Sequence, residues 1–367
     1  MNAAMPEEMK RALRRPPKHG IATVDSSCNL CGSYRCTVLT TGQEHEYPNT
    51  TDDVFRIVTC IECGLIYLDP RPDFREMPTI YPPNYFAYTQ DILRRDNNSQ
   101  SQLAQIQKRE EQDKIHRLME LAGVSGKDKL KVLDVGCADG NLLTQIKSIY
   151  GNKVETYGVD FNIEAMVLTS AAGHLTYKHR FEDAQIPDNQ FDLVIASQII
   201  QRVSDPVWFT TKALKVLKPG GVFWIETPNI GSKDAQWFKN GTWGGYHFPR
   251  NWYFFNLQTI RRLAENVGFE IASIDFVPNA TIWFWTLHSL LLRRDEKLRP
   301  LADFLFPPVD FQKGTVANLV KTKLFEAIDM VIKRLTGQTS NMIIVLKKSP
   351  EIKSNTVFET IGSNVFE

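Results

Sequence analysis

Residues 131–141 read KVLDVGCADGN, and this stretch decides the fold. Val132, Leu133 and Val135 form the short apolar run of a buried parallel strand. Gly136 and Gly140 then bracket a tight turn, and Leu142, Leu143 and Ile146 begin a helical period. A strand that breaks into a glycine turn and opens a helix brings bare backbone to a ligand at the carboxyl end of a sheet. Residues 155–160, ETYGVD, form a second strand that closes on Asp160. An acid at that place accepts hydrogen bonds from both hydroxyls of a ribose. The loop is G-C-A-D-G rather than the G-x-G-x-x-G of a pyrophosphate binder, and Asp134 precedes it. A carboxylate there repels a diphosphate and suits a ligand with a cationic amino-acid end.

Outward from this stretch, strands and helices alternate. Strands are predicted near 131–135, 154–159, 175–178, 191–196 and 221–226, and helices near 139–150, 162–172 and 206–217. Asp205 as N-cap, Pro206 in the first turn and the K-P-G-G stop at 218–221 punctuate the last of these. Asn256 caps a further helix stopped by Gly268, with strands predicted at 269–274 and 343–346. Amphipathic helices are predicted at 103–122 and 316–335. The alternation predicts an α/β, Rossmann-like, doubly wound and mostly parallel sheet with its ligand at the carboxyl ends of the strands.

The ordered blocks resemble the class I S-adenosylmethionine (SAM)-dependent methyltransferases. LDVGCADG (133–140) resembles their first motif and GVD (158–160) their second. FEDAQIPDNQFDLVIASQIIQRVSDP (181–206) resembles the third and fourth, and LKPGG with VFWIETPN (217–229) the fifth strand and its approach. The resemblance implies a seven-stranded sheet with an antiparallel last strand. It also implies a SAM site in which Asp134, Gly136, Cys137, Ala138 and Gly140 surround the methionine end. Asp160 would bind the ribose, Phe161 would lie against the adenine, and Glu182 and Asp183 would reach the adenine edge. Ser197 and Gln198 would lie beneath the sulfonium, or belong to a solvated loop. Two positions depart from the family pattern. Gln201-Arg202 stands where relatives often carry Glu-His, and Asn251 replaces the histidine of a Pro-Arg-His segment. That leaves Tyr246 and His247 as the candidate catalytic pair, with a hydrogen-bonded structural histidine an equal reading. Arg250 either binds an anionic substrate group bidentately or pairs with a local carboxylate. Methyl transfer from a sulfonium is an in-line displacement dominated by positioning, and a base matters only for a hydroxyl or a carbon acid.

The 367 residues carry 43 basic and 42 acidic side chains, a net charge of +1 that gives no electrostatic case for nucleic acid. Cys28-x-x-Cys31-Gly and Cys60-x-x-Cys63-Gly are two knuckles whose four thiolates suit structural zinc, a redox pair being the weaker reading. The chain therefore divides into a disordered tail (1–25), a zinc-ribbon-like module (26–72), a linker and covering helix (73–126), the catalytic domain (127–350) and a loose tail (351–367). Within the catalytic domain, 231–250 reads either as a substrate lid or as a packed structural loop, and 277–336 as helical additions. In the linker, Tyr85 and Tyr88 either face substrate or pack as structural aromatics. No N-terminal signal core is evident, and the apolar run at 277–292 is too short and polar to span a bilayer. A cytoplasmic enzyme is expected, with a peripheral membrane contact left open by Arg293-Arg294 and the oligomeric state undetermined.

The leading function is methyl transfer from SAM to a small-molecule acceptor, by resemblance to bacterial enzymes of sugar, glycan or secondary-metabolite pathways. The alternatives are an RNA or protein substrate presented by the zinc module, or a non-catalytic SAM-fold binding protein. Glu44, Glu46, Asp52, Asp53 and Glu62 read as an acidic face on the module, which weighs against RNA. Zinc removal is expected to unfold the module without abolishing SAM binding.

Overall fold

A computed structural model describes residues 20–47, 49–82, 85, 102–123, 126, 129–312 and 315–350. Tyr88 and both predicted tails up to residue 19 and from 351 lie outside these described residues.

The N-terminal module carries a short pair, β1 (Thr23–Val24) with β5 (Arg71–Pro72), beside the antiparallel strands β2 (Cys36–Gly42), β3 (Phe55–Cys60) and β4 (Ile66–Leu68). A single-turn helix α1 (Met77–Ile80) and the long α2 (Gln102–Leu121) lead into the main domain. There β6 (Leu130–Val135), α3 (Asn141–Tyr150), β7 (Val154–Val159), α4 (Ile163–Ala171), β8 (Leu175–Tyr177), β9 (Phe191–Ser197), α5 (Pro206–Val216) and β10 (Leu217–Pro228) alternate as the apolar periodicity predicts. After them come α6 (Lys233–Trp237), β11 (Tyr253–Phe254), α7 (Leu257–Val267) and β12 (Glu270–Val277). The chain then forms α8 (Ala280–Arg294), α9 (Arg299–Leu305), α10 (Val316–Thr336) and β13 (Asn341–Lys347).

The seven-stranded sheet has the order β12-β13-β10-β9-β6-β7-β8. β13 runs antiparallel to both of its neighbours, and the remaining pairs are parallel. This bears out the predicted α/β class and the antiparallel last strand. The order reverses between β6 and β9, so their carboxyl ends open a crevice at the topological switch point. α2 packs Ile115, Leu118 and Met119 onto Val132, Ile195, Trp224 and Ile343, covering one face of the sheet.

The joint between the module and the main domain is tighter than a boundary at residue 72 suggests. β11, from the main domain, adds to β4 and completes a four-stranded sheet in the order β11-β4-β3-β2. One continuous apolar core runs from Cys28, Ile57 and Tyr67 of the module to Val135, Phe209 and Phe223 under the main sheet. The 231–250 segment is likewise packed rather than free. A side chain at Gly241 would strike the carbonyl oxygen of Thr41 on β2, and Trp243, Tyr246 and Phe248 are buried. The residues read as an acidic face are partly interior, because Glu44 and Glu46 are buried.

Candidate active site and four-cysteine centre

In the module, Gly32 and Gly64 take positive φ (+73° and +76°) and turn their amides back onto the Cys28 and Cys60 carbonyls at 2.7 and 3.0 Å. That closes each knuckle and brings the four Sγ atoms of Cys28, Cys31, Cys60 and Cys63 within 4.8 Å of one another. Tetrahedral zinc with Zn–S bonds of about 2.3 Å sets thiolates roughly 3.8 Å apart. The Cys28–Cys63 and Cys31–Cys60 separations, 3.3 and 3.5 Å, are shorter than that, so the four sulfurs are gathered as a zinc set would be but more tightly. Burial and the neighbouring Cys63 push the Cys28 thiol up, so it is a cation that would favour the thiolate form.

At the end of β6 the loop is held by a carboxylate. Asp160 accepts from the Ala138 amide through Oδ2 at 3.1 Å and from the Asn162 amide through Oδ1 at 2.9 Å. The Gly136 amide donates to the Val159 carbonyl at 2.8 Å, and the Thr169 hydroxyl donates to the Ala138 carbonyl at 2.9 Å. These bonds pin Gly136, Ala138 and Gly140 at positive φ of 74°, 47° and 77°. Ala138 is the strained member, since a Cβ disfavours that region. Cys137 is buried on Leu143 and Met166 and fills the space beside Gly158, so its thiol serves packing.

Two chambers share this loop. The first, about 850 Å³ including its open mouth, is lined by Val135, Asp160, Phe161, Glu182, Phe74, Tyr81 and Tyr85. The second is lined by Asp134, Cys137, Ser197, Gln198, Asn251, Asn279, Thr281 and Trp285. Gly136, Ala138, Ile199 and Arg202 belong to both. Asp183 lines neither, with its carboxylate turned to Arg180 Nε at 3.6 Å.

The electrostatics select a cation. Burial, then Asp160 and Asp139, push the Asp134 carboxyl up to about 8, and no basic group opposes them. Burial also raises Asp160. Three acids around one loop fit a ligand carrying an ammonium and a sulfonium, and do not fit a diphosphate.

Beyond β9 the chain enters the left-handed region at Gln198 (φ 59°). A polar chain fixes that strained residue. Ser197 Oγ donates to Glu226, Asn341 Nδ2 bridges Glu226 at 2.6 Å, and Gln198 Nε2 donates to Asn341 Oδ1 at 3.0 Å. Gln201 Nε2 donates in turn to Gln198 Oε1 at 2.9 Å. Sequence reading named Ser197 and Gln198 but missed Glu226 and Asn341. The available signal was an acid inside the apolar VFWIETPN strand, but its partner lies 115 residues away.

Tyr246 and His247 line neither chamber. The Tyr246 hydroxyl donates to the Lys239 carbonyl at 3.1 Å, and its ring is wedged among Trp243, Phe248 and Phe254. His247 is wholly buried, stacks on Trp285 at 4.2 Å and meets Glu46 through Nδ1 at 2.7 Å. Burial, then Arg250 and Arg202, hold the imidazole well below its usual pKa. Burial and Glu44 push Glu46 well above its own. Arg250 is also interior, paired with Glu44 Oε2 at 2.5 Å and lying over the Tyr47 ring. Of the two expectations for Arg250, the local carboxylate pair is the one the structure shows.

A methyltransferase-domain family model matches residues 103–274. Among characterised proteins, the ubiquinone biosynthesis O-methyltransferase of Cereibacter sphaeroides (strain ATCC 17025 / ATH 2.4.3) is 26% identical over 170 residues. That alignment covers 43% of this chain and 68% of the relative. The enzyme of the same name from Bradyrhizobium sp. is 30% identical over 102 residues, covering 27% of this chain and 40% of the relative. Among solved structures, the [4+2]-cyclase SpnF superposes with a TM-score of 0.46 at 16% identity, over 77% of this chain and 98% of that one. With the sheet order, the carboxylate-held loop and the family match agreeing, the chain carries a methyltransferase domain of the SAM-dependent class, joined to an N-terminal four-cysteine module.

Proposed function

We propose that the protein transfers the methyl group of SAM to a hydroxyl of a small-molecule acceptor. The observation that carries this is the second chamber, which shares Gly136, Ala138, Ile199 and Arg202 with the first while its far wall is Gly245, Asn251, Asn279, Ile282 and Trp285. Such a recess suits a compact ligand. The module turns β4 toward β11 as a structural joint, which favours a small molecule over a polymer presented by the module. The relatives named above are O-methyltransferases, which favours a hydroxyl acceptor.

In this reading SAM supplies an already electrophilic methyl group. Asp160 holds the loop and takes the ribose hydroxyls, with Phe161 and Glu182 at the adenine end. Asp134 faces the amino-acid end of the ligand. Ser197 and Gln198, fixed through Glu226 and Asn341, set the floor between the two chambers. Positioning then does most of the chemistry. Tyr246 and His247 brace the wall, His247 from behind Trp285. Cys28, Cys31, Cys60 and Cys63 would hold a structural zinc.

Calorimetric titration of SAM into wild type and Asp160→Ala tests the reading. Tight binding that is lost in the variant supports it, and saturation to about 100 times Kd adds roughly 2.7 kcal/mol of stability. Absence of SAM binding by folded wild type would sink it.

A further inference from the structure

Arg202 stands where the two chambers meet and lines both of them. Its guanidinium is only partly satisfied. Nη1 donates to the Tyr85 hydroxyl at 2.6 Å and Nε donates to Asn251 Oδ1 at 3.2 Å. No carboxylate pairs with it, and Nη2 has no hydrogen-bond partner among the described residues. This contrasts with Arg250, whose charge is matched by Glu44. The nearby Glu46 is taken by His247 at 2.7 Å. The joint therefore holds two guanidiniums against one committed ion pair. The unmatched charge is the one at the cavity wall.

We infer that Arg202 is an anchor for an anionic group of the methyl acceptor, a carboxylate or a phosphate, bound at the mouth between the two chambers. The inference rests on the proposed function, with the acceptor against the far wall of the second chamber at Gly245, Asn251, Asn279, Ile282 and Trp285. Tyr85 and Asn251 hold the guanidinium plane by two of its edges, so the remaining Nη2 edge is presented in a fixed direction. A charge held in that way, in a half-enclosed site, binds an anion more strongly than a mobile surface arginine does. Tyr81, packed edge-on against Tyr85 with ring centroids 4.8 Å apart, adds an apolar flank for the body of such a ligand. Asp134 and Asp139 line the second chamber with Arg202, and Asp160 lines the first, so their charge would confine an anion to the guanidinium. The acceptor is then oriented by its charge at Arg202 and by its hydroxyl toward Ser197 and Gln198.

The test titrates full-length protein, saturated with S-adenosylhomocysteine, with benzoate and separately with inorganic phosphate. The titrations are repeated without the nucleoside. The expected result is saturable binding of one or both anions to wild type. That binding weakens by about tenfold or more in Arg202→Gln and less in Arg202→Lys, which keeps the charge but loses the fork. Which anion binds separates a carboxylate from a phosphate acceptor. Failure of both anions to bind wild type, or equal binding to Arg202→Gln, overturns the inference. If S-adenosylhomocysteine itself does not bind, the cofactor reading has failed, and the nucleoside-free titrations still decide the anion site. A misfolded Arg202→Gln is recognised by its circular dichroism, and Arg202→Lys then carries the comparison.

Discussion

Nδ1 of His247 lies 2.7 Å from Oε1 of Glu46, a residue 201 positions earlier in the chain. Both are buried, and the pair sits beside the Glu44–Arg250 pair at 2.5 Å. Two carboxylates so close in a dry joint cannot play equal roles. Burial and Glu44 push Glu46 well above the usual carboxyl range, which favours its protonated form. Glu46→Gln is isosteric with that form and is expected to cost less than about 1.5 kcal/mol in urea unfolding. Glu44→Gln leaves Arg250 buried without its counter-charge and is expected to cost about 3–5 kcal/mol. Equal losses in the two variants would mean that Glu46 is ionised and paired with a cationic His247.

Chelation is expected to act on the whole protein. β4 pairs on one side with β3, which carries Cys60, and on the other with β11, while Asn29 Oδ1 accepts from the Val207 amide at 3.0 Å. Losing the metal from the knuckles should therefore loosen the wall that holds Asn251. Metal-stripped protein should unfold in one transition with its midpoint lowered by more than about 5 °C, and should bind SAM more weakly. A main domain that melts at its original temperature after chelation would show the module to be independent, as the sequence alone suggested.

Gly158 and Cys137 test the packing behind the cofactor loop. A Cβ at 158 would lie 2.5 Å from the Cys137 sulfur. Gly158→Ala should cost about 1–3 kcal/mol through overpacking and weaken SAM binding by displacing the loop. Adding Cys137→Ala removes the obstructing sulfur and should recover much of both losses in a double-mutant cycle. No recovery would place the strain elsewhere.

Binding of SAM should release a proton. In the free protein, burial and the Asp160 and Asp139 carboxylates hold Asp134 up at about 8. A ligand ammonium favours the carboxylate and lowers that value, so at pH 7 Asp134 gives up its proton as the ligand enters. Affinity should rise with pH up to about 8, and the release should fade above it. Calorimetry at pH 7 in buffers of different ionisation enthalpy measures the released proton. Asp134→Asn should abolish the release, and its persistence in that variant would assign it to another group.

Local pattern carried the fold because strand and helix periods are short-range properties. The apolar run at Val132–Val135, the cap at Asp205 and the stop at Gly268 each act within a few residues. The loop from Gly136 to Gly140, Asp160 and the two cysteine knuckles were legible for the same reason, since their spacing is their geometry. What only the tertiary structure decided is the meaning of the charges. Glu44 and Glu46 read as surface acids until a fold brought Arg250 and His247 across two hundred positions to meet them. Arg202 read as a lost histidine until Tyr85 and Asn251 held it at the mouth between the chambers. A side chain's ionisation and purpose depend on what desolvates it and what faces it, and those neighbours are set by packing rather than by spacing.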